Sequence, residues 1–123
     1  MQNSLRVINP TGTMAMEITT RKTENTLIID VNGEITATGG IDLDKKVLKV
    51  VEGEKPKRLI LNLKNVDYLD SQGMGSLIIV RQYTIRNKIL FSLVGINERI
   101  RKTFEHTEMV DFFNIRESED KLV

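Results

Sequence analysis

One junction between a predicted strand and a predicted helix constrains the fold of this chain more than any other stretch. The run Leu59 to Leu63 is Leu-rich and mostly apolar, which is typical of a buried strand. A polar segment ending at Ser71 follows it, and helix-forming residues then continue from Gln72 to Arg86. Ser71 is therefore predicted at a helix start, where side-chain oxygens accept hydrogen bonds from unpaired N–H groups. Such a start would present a small hydroxyl at the positively polarised end of the helix. Gly73 and Gly75 remove bulk from the same turn, so that another backbone could approach it closely.

Hydrophobic periodicity predicts further strands and helices on both sides of this junction. Before the junction we expect strands at Met14 to Ile18 and Thr26 to Val31, and then a helix that ends near Gly53 and Pro56 and has its apolar positions at Leu43, Val47, Val50 and Val51. After the junction we expect a strand at Lys88 to Val94, a helix capped by Asn97 with Ile100 and Phe104 on one face, and a last strand at Phe112 to Ile115. The order β-β-α-β-α-β-α-β predicts an α/β domain with a mostly parallel sheet, an N-terminal hairpin and helices packed against the sheet. We expect one domain, 14–117, after an N-terminal extension, 1–13, and before a C-terminal tail, 118–123.

The faces of the helix after the junction can also be predicted from spacing. The residues expected to face the sheet are Met74, Leu77, Ile78 and Ile85, and those expected roughly opposite are Ile79, Val80 and Tyr83. The second group is a candidate contact patch for a partner. The alternative is that another part of this chain covers it. Arg81 falls in the sheet-facing stripe, so its stem is expected to pack while its guanidinium reaches the rim.

Composition argues against several classes of function. Lys and Arg number 18 against 17 Asp and Glu, so the basic excess usual in proteins that bind nucleic acid through phosphates is missing. The chain has no Cys, which rules out disulfides, thiolate zinc sites and Cys nucleophiles. No apolar run approaches the roughly 20 residues that cross a bilayer, and no signal peptide is evident. We expect a cytoplasmic protein without direct nucleic-acid binding or membrane insertion.

The residues Asp70-Ser71-Gln72-Gly73-Met74-Gly75 resemble the Asp-Ser-x-Gly-hydrophobic-Gly signature of STAS domains, the fold of sulfate transporters and bacterial anti-sigma factor antagonists. The resemblance extends from about Met14 to Ile115 and includes the later block from Asn97 to Thr107. It implies a STAS fold in which Ser71 is the phosphoacceptor. It also implies that the unphosphorylated protein binds an anti-sigma factor that is itself the serine kinase, and that phosphorylation releases it. A serine phosphatase would reset the system, and ATP would belong to the kinase, so no cofactor is expected here.

The same resemblance implies where a partner docks. The residues concerned are Asp70, Gln72, Gly73 and Met74 at the helix start, and Thr36, Thr38 and Gly39 in the loop after the second strand. The chain departs from the family pattern at three positions. Thr36 stands where Asp is frequent, Gln72 stands where Ser, Thr or Ala is more usual, and Glu108 stands where Gly often follows the third helix.

The sequence is also compatible with other functions. Ser71 could serve only as a helix cap, and the domain could be an unphosphorylated interaction subunit of a lipid-transport or signalling complex. An enzyme is disfavoured because His106 is the only His, no Gly-x-Ser-x-Gly elbow is present, and Ile78 replaces the third Gly of a dinucleotide fingerprint. Asp67 and Asp70 alone make a thin case for a metal. We therefore expect no catalytic, cofactor or metal site. The sequence is compatible with a homodimer.

Overall fold

The computed structural model describes residues 16–36 and 42–119, which form a five-stranded sheet and three helices. The elements in chain order are β1 (Glu17–Thr23), β2 (Thr26–Asn32), α1 (Leu43–Glu54), β3 (Arg58–Asn65), α2 (Ser71–Arg86), β4 (Leu90–Val94), α3 (Glu98–His106) and β5 (Ile115–Arg116). This order confirms the predicted α/β class. The predicted N-terminal extension and the loop residues Thr38 and Gly39 lie outside the described residues.

The strands follow one another across the sheet in the order β1-β2-β3-β4-β5. β1 pairs with β2 antiparallel, and the remaining neighbours are parallel. Parallel strands need crossover connections, here supplied by the helices, and right-handed crossovers that advance in one direction stack those helices on one face. The carboxyl ends of β2, β3 and β4 consequently meet at one edge of the sheet, and α2 begins just after that edge.

The main core lies between the sheet and the helices. Alternate residues of β3, such as Leu59, Leu61 and Leu63, are fully buried there, together with Leu77 of α2 and Phe104 of α3. The opposite face of the sheet carries a separate small cluster. Its members come from three neighbouring strands and are Ile28, Ile60 and Val94. The strand alternation thus places one large apolar layer under the helices and a smaller one on the helix-free face.

Helix α2 is rotated relative to the sequence prediction. Its buried residues are Gly73, Met74, Ser76, Leu77, Val80 and Thr84. Val80 was wrongly predicted to face away from the sheet, and Ile85 was wrongly predicted to face it, since Ile85 is 51% exposed. The error has a physical cause, because polar residues complete the buried stripe: Ser76 donates to Asp44 Oδ1 at 3.1 Å, and Thr84 donates to the Arg81 carbonyl at 2.7 Å.

Arg81 occupies the partly buried position that its place in the stripe predicted. Its Nε donates to the Phe112 carbonyl at 2.6 Å, and its guanidinium lies 5.3 Å from the centroid of the Phe91 ring. Burial lowers the pKa of this guanidinium. The charge therefore contacts the turn between α3 and β5 and the aromatic ring of Phe91 in β4.

Several element boundaries differ from the prediction. β1 continues through Arg21 to Thr23, so the polar turn shrinks to the two residues before Thr26. β1 is an edge strand, where charged side chains are common, and its polar composition concealed it. α1 includes Gly53 and ends at Glu54, and the following residue, Lys55, adopts the left-handed conformation with φ 50°. β5 starts at Ile115, because Phe113 lies in the preceding turn, buried against Phe104.

Candidate functional site

The N-terminus of α2 is capped by Asp70. Its Oδ1 accepts a hydrogen bond from the Gly73 N–H at 2.8 Å, and its carbonyl accepts from the Met74 N–H at 2.9 Å. Ser71 is the first residue of the helix and is exposed. The alternative that Ser71 serves as the cap is therefore wrong. Because Asp70 performs that function, the Ser71 hydroxyl stands at the mouth of the helix without being needed to start it.

The described part of the connection after β2 runs directly against the first turn of α2. The Ile35 N–H donates to the Tyr68 carbonyl at 3.1 Å, and the Asp70 N–H donates to the Ile35 carbonyl at 3.3 Å. A Cβ at Gly73 would lie 1.9 Å from that same Ile35 oxygen. Gly73 is buried, so its role in the site is to let this segment approach the helix.

The other residues predicted to contact a partner are distributed unevenly. Gln72 is exposed beside Ser71, whereas Met74 is buried and Thr36 is only 6% exposed. Gly75 was singled out with Gly73, but a Cβ there would meet no atom within 4 Å. Internal packing explains Gly73 and does not explain Gly75. Gly75 is half-buried and lies one turn after the exposed Ser71 on the same helix face, and Ile79, one turn further, is exposed.

A groove of about 310 Å³ separates the start of α2 from α3. Its lining residues are Tyr68, Leu69, Asp70, Ser71, Met74, Thr103 and Thr107. Asn97 holds the two sides together, since its Nδ2 donates to the Asp67 carbonyl at 3.1 Å while its Oδ1 accepts from the Ile100 N–H at 2.8 Å. This bond confirms Asn97 as the predicted cap of α3 and shows that the cap also positions the segment before Ser71.

Sequence reasoning missed the side of this groove formed by α3. Thr103 and Thr107 line it, and Arg99 places its guanidinium 4.5 Å from the centroid of the Tyr68 ring. The spacing of Arg99, Thr103 and Thr107 is i, i+4, i+8, which marks one face of a helix. That signal was present in the sequence, but nothing in it indicated that this face lies opposite Ser71.

The polar side chains that line the groove are four hydroxyls and one carboxylate. Among residues 16–36 and 42–119, no group of three or more His, Cys, Asp or Glu is arranged to hold a metal ion. His106 is exposed at the last residue of α3 and is not among the residues that line the groove. The arrangement instead presents a hydroxyl, a capped helix end and an open strip of surface, which suits modification or docking.

The sequence profile of the STAS domain matches residues 17–122. This chain belongs to the STAS domain family. The matched range covers the whole sheet, all three helices and the groove, so the site just described lies within the STAS domain. In the parts of this STAS domain that the structure describes, no helix combines the length and apolar character required to span a bilayer.

Relatives of this STAS domain are similar in both sequence and structure. The anti-sigma-B factor antagonist of Staphylococcus aureus is 26% identical over 104 residues, which span 85% of this chain and 95% of the relative. An anti-sigma factor antagonist from Mycobacterium paratuberculosis has a TM-score of 0.77 at 19% identity, covering 94% of both chains. The phosphorylated form of the Bacillus cell fate determinant SpoIIAA has a TM-score of 0.65 at 15% identity, covering 86% of this chain and 95% of that one. At these identities the structural likeness establishes a common fold.

Proposed function

We propose that this STAS domain is an anti-sigma factor antagonist that binds an anti-sigma factor with serine kinase activity and is released when Ser71 is phosphorylated. The observation that carries the proposal is the exposed Ser71 hydroxyl at the first residue of α2, beside a cap supplied by Asp70. The antagonist relatives in Staphylococcus and Mycobacterium support the choice of partner. In this role the protein regulates transcription that depends on a sigma factor.

The proposed reaction uses ATP held by the kinase. Ser71 Oγ forms a bond to the γ-phosphorus of ATP, the bond from that phosphorus to the ADP oxygen breaks, and the hydroxyl proton passes to a base on the kinase. A serine phosphatase then hydrolyses the phosphoester with water, which restores the hydroxyl and releases inorganic phosphate. This chain supplies only the acceptor, so it needs no nucleotide site of its own.

Phosphorylation would act locally on binding. It adds about −1.5 to −2 charge at pH 7. Helix N-termini accommodate anions well, so α2 and the fold should persist. A partner surface shaped around a neutral hydroxyl would meet bulk and negative charge beside Asp70. A loss of about 3–4 kcal/mol in binding free energy would weaken the complex a few hundred-fold.

The proposed docking surface is the exposed start of α2 and the loop beside it. Ser71 and Gln72 are exposed, and Gly75 leaves an open strip between Ser71 and Ile79. Asp70 contributes by fixing the geometry of the helix end. Gly73, Met74 and Thr36 act from beneath this surface, because they are buried. Thr38 and Gly39 remain proposed contacts in the loop.

Copurification of partners with Ser71→Ala and Ser71→Asp variants tests the proposal. We expect Ser71→Ala to retain an ATP-binding kinase and Ser71→Asp to lose it. Gln82→Glu is the matched control, since it adds the same charge to an exposed position of α2 about 16 Å further along the axis. The control should retain the partner. Equal retention by Ser71→Ala and Ser71→Asp would contradict the switch and favour a constitutive interaction subunit of a lipid-transport or signalling complex.

A further inference from the structure

An arginine on α3 contacts a tyrosine that lines the groove containing Ser71. The Arg99 guanidinium lies 4.5 Å from the centroid of the Tyr68 ring, and Tyr68 and Ser71 both line the groove. Arg99 is exposed, so it is free to turn without unpacking the core. The aromatic face holds the planar guanidinium by a cation–π interaction, which restricts its orientation beforehand.

Apart from the N-terminus of α2, the side chains that line the groove give a phosphate on Ser71 little compensation for its charge. Asp70 is a carboxylate in the same lining, and like charges repel. The threonine hydroxyls of α3 donate to carbonyls of their own helix: Thr103 to Arg99 at 3.4 Å and Thr107 to Thr103 at 2.9 Å. The Arg99 guanidinium, held on the Tyr68 ring that lines the groove, is therefore the cation whose charge matches a phosphate in this position.

We propose that Arg99 forms an ion pair with the phosphate of phosphorylated Ser71 in the same molecule while its guanidinium remains stacked on Tyr68. The inference rests on the proposed function. Two N–H groups of the guanidinium fork match two phosphate oxygens. Phosphorylation then changes the docking surface in two ways. It adds negative charge at Ser71, and it makes the Arg99 guanidinium unavailable to the partner.

The ion pair is tested by phosphorus NMR on the full chain carrying phosphoserine at position 71, introduced during translation so that no kinase is needed. A nearby cation lowers the second pKa of the phosphate, which is ordinarily about 6. We expect Arg99→Gln to raise that pKa by about 0.5 units or more relative to the parent, and Arg99→Lys to restore part of the difference. Asp70 and Tyr68, the titratable groups that line the groove, are unchanged in every variant.

Arg101→Gln is the charge-matched control. Arg101 lies about 200° around α3 from Arg99 and within 4.0 Å of Glu98. It should leave the phosphate pKa near the parent value. Equal shifts in the Arg99→Gln and Arg101→Gln proteins, or no shift in either, would overturn the inference. These results are separable from the proposed function, since Ser71→Asp could still release the partner when the ion pair is absent, and the ion pair could form when Ser71→Ala and Ser71→Asp bind equally.

Discussion

The glycines of the Ser71 motif are two positions apart, and their surroundings give them different roles. At Gly73 a Cβ would collide with a backbone oxygen of Ile35, which cannot move without disturbing the hydrogen bonds to Tyr68 and Asp70. At Gly75 the same atom would enter open space. The motif predicted that both glycines clear room at the helix start. The sequence does not distinguish a glycine that packs against another segment of the chain from one that borders open surface.

Alanine substitutions at the two glycines should therefore change stability in opposite directions. Gly73→Ala should lower the free energy of unfolding by about 1–3 kcal/mol through overpacking. Gly75→Ala should raise it by about 0.5–1 kcal/mol, because Ala favours the helix, and should weaken partner binding if that strip is covered in the complex. Urea denaturation and partner titration measure the two effects. A Gly73→Ala protein as stable as the parent would contradict the packing role.

The cap assignment marks the limit of residue-level prediction at this site. Asp70 and Ser71 are both favoured N-cap residues, and they are adjacent. The sequence therefore predicted the helix start within one residue and left open which of the two side chains caps it. The hydrogen bond from the Gly73 N–H to the Asp70 carboxylate shows that Asp70 is the cap. The Ser71 hydroxyl is therefore not required for capping and can be modified.

At the level of helices and strands, order was easier to predict than orientation and boundaries. The strand β3 was clear from its Leu alternation, whereas the buried face of α2 includes Ser76 and Thr84, whose partners are distant or backbone groups. Helix ends were also difficult to predict. A residue with φ near 50–57° follows each helix, and these residues are Lys55, Lys88 and Glu108 instead of glycines. The usual Gly stop signal is absent from all three.

Glu108 is the most informative of these helix ends, since Gly often occupies its position in the family. A left-handed non-Gly residue costs about 1–2 kcal/mol, and Gly loses about 0.5–1 kcal/mol more on folding than Ala. We expect Glu108→Gly to increase the free energy of unfolding by about 0.5–1 kcal/mol, because the strain that Gly relieves exceeds the conformational entropy that Gly loses on folding by about that amount. Glu108→Ala, the control, should give no gain. Urea midpoints measure both, and a destabilised Glu108→Gly protein would be inconsistent with strain at this position.

Across the whole molecule, the helix-free face of the sheet is joined to the C-terminal segment through Arg21. Its guanidinium contacts Asp30 at 2.7 Å on the neighbouring strand and Glu119 at 2.7 Å, a residue 98 positions away. No local pattern in the sequence connects these residues. The predicted tail, 118–123, therefore contributes at least one contact to the domain, which the sequence had treated as ending at residue 117.

This cluster predicts how stability depends on pH. Burial raises the pKa of Asp30, but hydrogen bonds from Arg21 and Asn62 outweigh it and leave the pKa below its ordinary value of 3.8. A carboxyl with a lower pKa in the folded state stabilises the fold fully above its ordinary pKa and loses that contribution as pH falls through the folded value. Since Arg21 is 41% exposed and partly screened, the contribution should be only about 0.5–1 kcal/mol.

Asp30→Asn should therefore be less stable than the parent at pH 7, and the difference should shrink as pH falls below about 4. Urea denaturation from pH 7 to pH 2.5 measures it, with Glu105→Gln as the control because Glu105 is an exposed carboxyl on α3. Taking the difference in unfolding free energy between each variant and the parent cancels the pH dependence that comes from the other carboxyls, which all three proteins share. A difference that stays constant across this range would show that Asp30 acts through shape or hydrogen bonding alone, and that its charge does not help hold Arg21 against the sheet.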